Sequence, residues 1–214
     1  MAAEYFCVMC RTPFLNHFPL DEQGRCRLCR MGTRGFDAAY CFGTYEGPLR
    51  ELIHLFKYGR MKPLGRNLGA YLASALPRDE RFDLVVAMPL HWRREWQRGF
   101  NQSRLLAIEI ARRCGIKVIN AVRRTRATAS QAGLSHAGRR KNVSGAFRAR
   151  KRRGMQGRRV LLIDDVMTTG ATASACARAL KRAGAKSVTL LTLARVDRRF
   201  ADVQNEDSNQ REVS

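Results

Sequence analysis

Two adjacent carboxylates, Asp164 and Asp165, stand between an apolar run, Val160 to Ile163, and a short polar loop holding Thr168, Thr169, Gly170, Ala171 and Thr172. Ionised carboxylates only accept hydrogen bonds, so the pair suits a sugar diol or a divalent cation such as Mg²⁺. The loop has the opposite character. Its backbone N–H groups, from about Thr168 to Thr172, can curl round an anion at a helix start. Gly170 permits close backbone approach or positive φ, and the Thr168, Thr169 and Thr172 hydroxyls add donors. A helix N-terminus alone offers an anion only about 0.3–2 kcal/mol, so several donors must converge. A second chemically capable set is Cys7-x-x-Cys10 and Cys26-x-x-Cys29, separated by 15 residues. That spacing falls in the range of a four-cysteine zinc site, each pair presenting two thiolates to a tetrahedral ion. Four thiolates leave no open coordination position, so the Zn²⁺ would be structural. Two disulfides are the alternative, and the lack of a secretory signal pattern argues against them. His17, between the pairs, reads as a loop residue that could substitute as a ligand.

The elements that must position these groups follow from periodicity. Val160 to Ile163 has the length and apolarity of a buried parallel strand. From Thr172 to Leu180, Ala173, Cys176, Ala177 and Leu180 share one helix face, and Gly184 sits where a helix C′ residue belongs. The polar loop then lies at the carboxyl end of a strand, where open α/β sheets bind ligands. The bland alternative is a buried strand whose acidic pair caps the next helix. A Walker B strand would need G-x-x-x-x-G-K-[ST], which does not occur. Elsewhere the pattern predicts strands over 37–45, 83–88, 116–122 and 187–193. It predicts helices over 46–58, 64–76 and 101–113. Leu49, Leu52, Ile53 and Phe56 share the inner face of the first helix. Leu105, Ile108 and the Arg112 stem are expected inward on the third, with Asn101 as its N-cap. Cys41, Cys114 and Cys176 read as small core residues, and His54 as a helix-surface histidine.

The stretch from Val160 to Thr172 resembles, position for position, the phosphoribosyl pyrophosphate (PRPP) signature of type I phosphoribosyltransferases. The resemblance implies a parallel sheet flanked by helices. It also implies that the acidic pair meets the ribose hydroxyls while the loop cradles the 5′-phosphate, with Mg²⁺ accompanying PRPP. Members acting on purines place an Asp where Thr168 stands, so purine salvage is not expected here. Lys57-Tyr58-Gly59, Pro89, Arg93 and Arg98-Gly99-Phe100-Asn101-Gln102 narrow the resemblance, as do Gln131-x-x-Leu134, Arg139, Asn142 and Ala146-Phe147. Together they are similar to the ComF family (ComF/GntX-type proteins), over nearly the whole chain from the cysteine pairs to about Arg195. That resemblance implies a phosphoribosyltransferase-like protein associated with DNA uptake, natural competence and use of external DNA. Lys57 could meet a pyrophosphate as a point charge, and Arg98 with Asn101 and Gln102 would supply donors at a strand-to-helix transition. Gln131, Arg139 and Asn142 are expected in a loop that closes over the substrate and excludes water.

The chain has 214 residues and a net charge of +22. Between Arg93 and Arg159, 20 Lys/Arg face only Glu95 and Glu109, which predicts salt-sensitive binding to polyanions. Single-stranded DNA or a competence helicase are the partners considered. Trp92, Trp96 and Phe100 lie among these arginines and could stack bases or anchor the loop. No signal peptide is recognisable and no apolar run approaches about 18 residues, so a cytoplasmic protein without membrane insertion is expected. The expected organisation is a zinc-ribbon-like segment over 1–36, a phosphoribosyltransferase-like domain over 37–199 and a disordered tail over 200–214.

Overall fold

The computed structural model describes residues 5–14, 17, 20–31, 35–125, 145–150 and 154–196. Gln131, Arg139, Asn142 and the tail over 200–214 lie outside the described residues.

A short antiparallel pair, β1 (Tyr5–Phe6) and β2 (Pro13–Phe14), and a one-turn helix, α1 (Arg27–Arg30), carry the cysteine pairs. The main sheet follows from β3 (Ala38–Thr44), β4 (Leu84–Ala87), β5 (Lys117–Val118), β8 (Arg159–Met167) and β9 (Ser187–Arg195). Its order is β3-β9-β8-β4-β5, and all four neighbouring pairs are parallel. The intervening helices are α2 (Gly47–Tyr58), α3 (Leu64–Ser74), α4 (Trp92–Arg98), α5 (Gln102–Cys114) and α6 (Ala171–Arg182). A separate antiparallel pair joins β6 (Val122–Arg124) to β7 (Phe147–Ala149).

Strand alternation sends successive β8 residues to opposite faces. Val160 and Leu162 pack with Cys176, Ala177 and Leu180 of α6. Leu161 and Ile163 pack with Ile53, Phe56, Leu68, Leu72, Leu106 and Ile110 of α2, α3 and α5. Both faces are therefore covered, which explains the near-continuous apolar reading of β8 and β9. On the second face α3 and α5 approach so closely that a Cβ at Gly69 would collide with the Glu109 side chain.

Connectivity creates one special point. From β4 the chain runs through α5 outward to β5; from β8 it runs through α6 the other way to β9. The two helices lie on opposite faces, so a crevice opens between the carboxyl ends of β4 and β8. That is the topological switch point at which open α/β sheets bind ligands.

Several expectations need correction. β8 runs four residues beyond Ile163, because Asp164, Val166 and Met167 continue pairing with Thr192, Ala194 and Arg195 of β9. The expected strand over 116–122 is two pieces: β5 joins the main sheet, and β6 leaves it to pair with β7. The buried face of α5 is Gln102, Ser103, Leu106, Ala107 and Ile110, while Ile108 is exposed and Leu105 half-buried. The helix is phased by its polar first turn, which is buried in the crevice. Cys114, last in α5, is exposed and not a core residue. α4 was not expected. It buries no residue and is bounded by end signals: His91 Nδ1 accepts from Arg93 N at 3.3 Å, and Gly99 closes it with φ +76°.

Candidate active site

The crevice between β4 and β8 holds a cavity of about 470 Å³. Asp164, Asp165, Thr168, Gly170, Ala171 and Thr172 line it from β8 and the start of α6, and Lys57 and Arg98 from α2 and α4. A larger open depression, about 1090 Å³, lies beside the end of α6, and its described lining contains no carboxylate. The cavity with the acidic pair is therefore the functional candidate.

The acidic pair is held from three elements. Ser103 Oγ, in the first turn of α5, donates to Asp164 Oδ1 at 3.0 Å. Asp165 N donates to the same oxygen at 3.0 Å, and Val166 N to Asp165 Oδ1 at 2.7 Å. Lys57 Nζ, in the last turn of α2, pairs with Asp165 Oδ2 at 3.1 Å. Burial and then the adjacent Asp165 carboxylate push the Asp164 carboxyl up to about 7; Lys57 and the Ser103 hydroxyl pull the other way. Burial works against the Lys57 charge, but the Asp165 carboxylate outweighs it and holds the ammonium above its ordinary pKa.

Across the acidic pair lies the helix start. Gly170, the N-cap of α6, takes φ +75°, a left-handed conformation that favours glycine. Gly170 has no side chain to cap α6, and the start of this helix is the kind of backbone terminus that suits an anion. Thr169 Oγ1 accepts from Ala171 N at 3.1 Å, fixing the loop just before the helix.

The β4 side is cationic. Arg98 Nη1 donates to Gln102 Oε1 at 3.1 Å, and Nη2 to Tyr58 OH at 3.3 Å, with the guanidinium over the Tyr58 ring. Arg94 and Arg124 also line the cavity. Asn101 caps α5 through Oδ1, and its Nδ2 donates to Met88 O at 3.1 Å, tying the helix start to the end of β4. Sequence reasoning missed Ser103, Tyr58 and Arg124 as parts of this cavity. Ser103 directly follows the G-F-N-Q run, the one signal that could have found it. Phe100, grouped with the two tryptophans, is buried against Phe56 at a ring separation of 5.5 Å.

Far along the chain in sequence, Cys7, Cys10, Cys26 and Cys29 are all buried, and their sulfurs lie within 4.8 Å of one another. Cys10 Sγ is 3.7 Å from Cys26 Sγ. A tetrahedral ion with bonds of about 2.3 Å puts its sulfurs roughly 3.8 Å apart. Cys26 N also donates to Cys7 Sγ at 3.3 Å, a contact that favours a thiolate. The donor set can hold a metal such as zinc. His17 is exposed beside Tyr5 and does not join the cluster.

A family profile described as the phosphoribosyl transferase domain matches residues 98–213, a span that includes the acidic pair and the loop. DNA utilization protein YhgH of Escherichia coli K12 is 34% identical over 197 residues, covering 88% of this chain and 83% of that protein. Competence protein F of Haemophilus influenzae is 33% identical over 194 residues, covering 86% and 85%. Among solved structures, the glutamine PRPP amidotransferase from B. subtilis complexed with ADP and GMP aligns with 60% of this chain at a TM-score of 0.42 and 25% identity. This chain spans 26% of that one. From the family match and the two curated relatives, the chain belongs to the ComF family, phosphoribosyltransferase-like proteins of the type I fold with an N-terminal four-cysteine cluster.

Proposed function

We propose that this protein binds PRPP with Mg²⁺ in the crevice between β4 and β8 and serves the uptake or use of external DNA. The carrying observation is that the start of α6 and a half-buried carboxylate pair face one cavity at the switch point of the sheet. In this reading the loop from Thr168 to Thr172, with Thr169, Gly170 and Ala171, holds the 5′-phosphate. Asp164 and Asp165 take the ribose hydroxyls, and Arg98 and Lys57 meet the pyrophosphate. Mg²⁺, when bound, supplies Lewis-acid stabilisation of charge on the leaving pyrophosphate. Transfer breaks the bond between ribose C1 and the pyrophosphate oxygen, whose electron pair leaves with pyrophosphate. An acceptor lone pair forms the new bond at C1, and the acceptor's proton passes to solvent. Thr168 has no basicity near neutral pH, so the acceptor is one that needs no base there. The DNA connection rests on relatives named for DNA utilization and competence.

A second reading makes PRPP an effector of a non-catalytic protein that binds single-stranded DNA or a competence helicase. It is favoured by the exposure of Trp92 and Trp96 among arginines. Under either reading the cysteine cluster holds structural Zn²⁺, and 1–36 and 37–199 are two parts of a cytoplasmic protein.

Calorimetric titration tests the site. Wild type binds Mg²⁺–PRPP, and the Asp164→Asn/Asp165→Asn variant binds it at least about 10-fold more weakly, as expected for losing hydrogen bonds to charged groups. Equal affinity in the variant would mean that the ligand sits elsewhere. Pyrophosphate release, measured with and without single-stranded DNA, separates transfer from the effector reading.

A further inference from the structure

The first turn of α5 carries three polar residues in sequence. Two have evident tasks. Asn101 caps the helix and binds Met88 O; Ser103 holds Asp164. Gln102 is different. Only 1% of it is exposed, and it lines the cavity. Its Oε1 accepts from Arg98 Nη1 at 3.1 Å, which fixes the amide orientation. Its Nε2 has no hydrogen-bond partner among the described residues. A buried donor without an acceptor is costly, and such groups persist where a ligand completes them.

The surroundings indicate the chemistry of the missing acceptor. Among the described lining residues, Lys57, Arg94, Arg98 and Arg124 stand against two carboxylates, Asp164 and Asp165. Burial and the nearby Arg94 lower the Arg124 pKa, a mark of crowded cations. α5 is 13 residues long, and its N-terminus faces the cavity from the sheet face opposite α6. The α6 start, the acidic pair and the α5 start, which Asn101 caps and Ser103 ties to Asp164, thus follow one another round a cavity that four cations also line. A ligand matching that sequence has an anionic group at each end of a sugar.

We infer that Gln102 is the specificity-determining donor for the pyrophosphoryl group: its Nε2 donates to a pyrophosphate oxygen while Arg98 locks its Oε1. The inference rests on the PRPP reading of this cavity. It adds that the α5 start separates PRPP from ribose 5-phosphate, which fills only the loop and the acidic pair.

The test is titration of the full-length chain with Mg²⁺–PRPP, Mg²⁺–pyrophosphate and ribose 5-phosphate. Gln102→Met keeps the shape and removes the donor. Gln102→Glu keeps the acceptor for Arg98 and replaces the donor with negative charge; it serves if the first variant does not fold. Either variant should weaken PRPP and pyrophosphate about 10- to 100-fold and leave ribose 5-phosphate unchanged. Unchanged PRPP affinity, or equal losses for PRPP and ribose 5-phosphate, overturns the role of Gln102 while leaving the PRPP site standing. Failure of wild type to bind PRPP at all removes both.

Discussion

Asp164 carries the sharpest residue-scale consequence. Its carboxyl is held near pH 7 by burial and by Asp165, so much of it is protonated at slightly acidic pH. A sugar diol or Mg²⁺ needs the carboxylate, and binding must therefore expel a proton. Mg²⁺–PRPP affinity is expected to rise about 10-fold per pH unit below about pH 7 and to level off above it, following proton linkage. The Ser103 hydroxyl favours the charged form, so Ser103→Ala should raise the Asp164 pKa and move that midpoint upward. One hydrogen bond to a charged group corresponds to about one pH unit. Calorimetry over pH 5.5–8.5 in buffers of different ionisation enthalpy reads both effects; a flat profile would show that Asp164 binds already ionised. Much of this was legible in sequence, because the acidic pair and the Thr/Gly loop are contiguous. The Ser103–Asp164 bond was not. It joins residues 61 apart, and nothing local announces it. Nor does anything local announce that Lys57 pairs with Asp165 across the crevice.

Elements show why some structure was legible and some not. The long strands and α2, α3, α5 and α6 bury apolar stripes, so their periodicity marks them. α4 buries nothing, and its seven residues show only polar and aromatic side chains. Yet its phase is informative. Arg94 and Arg98, one turn apart, line the cavity. Trp92 and Trp96, also one turn apart, are 65% and 84% exposed, which the two-residue offset places on the other side of the helix. Arg93 lies over the Trp92 ring at 5.3 Å, a platform suited to stacking bases. These are the only two tryptophans in the chain, so tryptophan fluorescence, excited selectively over the five tyrosines, reports this helix alone. Single-stranded DNA is expected to quench it, with affinity falling as salt rises. Trp92→Ala/Trp96→Ala should weaken binding by about 1–3 kcal/mol per stacked base without weakening Mg²⁺–PRPP. DNA binding that leaves the fluorescence untouched would move the interface to another basic surface.

At the scale of the whole molecule, the cysteine segment is joined to the sheet and does not merely precede it. The four cysteines share one buried cluster with α6 and the β3 side of the sheet, including Ala39, Cys176, Ala177 and Val188. Ala39 N donates to Met9 O at 3.0 Å. Arg195, only 4% exposed at the end of β9, donates to Cys10 O and Thr12 Oγ1. Composition could suggest a small metal-dependent appendage, because the segment is too short to build a core; it could not show that its cysteines complete the core of the larger sheet. The consequence concerns cooperativity. Structural zinc is worth about 10–16 kcal/mol in small zinc peptides, comparable with the whole stability of a domain, about 5–15 kcal/mol. Freshly purified protein is expected to carry about one zinc per chain. Chelation or Cys10→Ser should then lower the single melting transition of the entire molecule by well over about 5 °C, since even 1 kcal/mol shifts a chain of this size by about 2–4 °C. Arg195→Met should give a smaller fall in the same transition while zinc content stays near one. Two separate transitions, with the main one unmoved by metal removal, would instead make the boundary near residue 36 a thermodynamic one and the cysteine segment an independent unit.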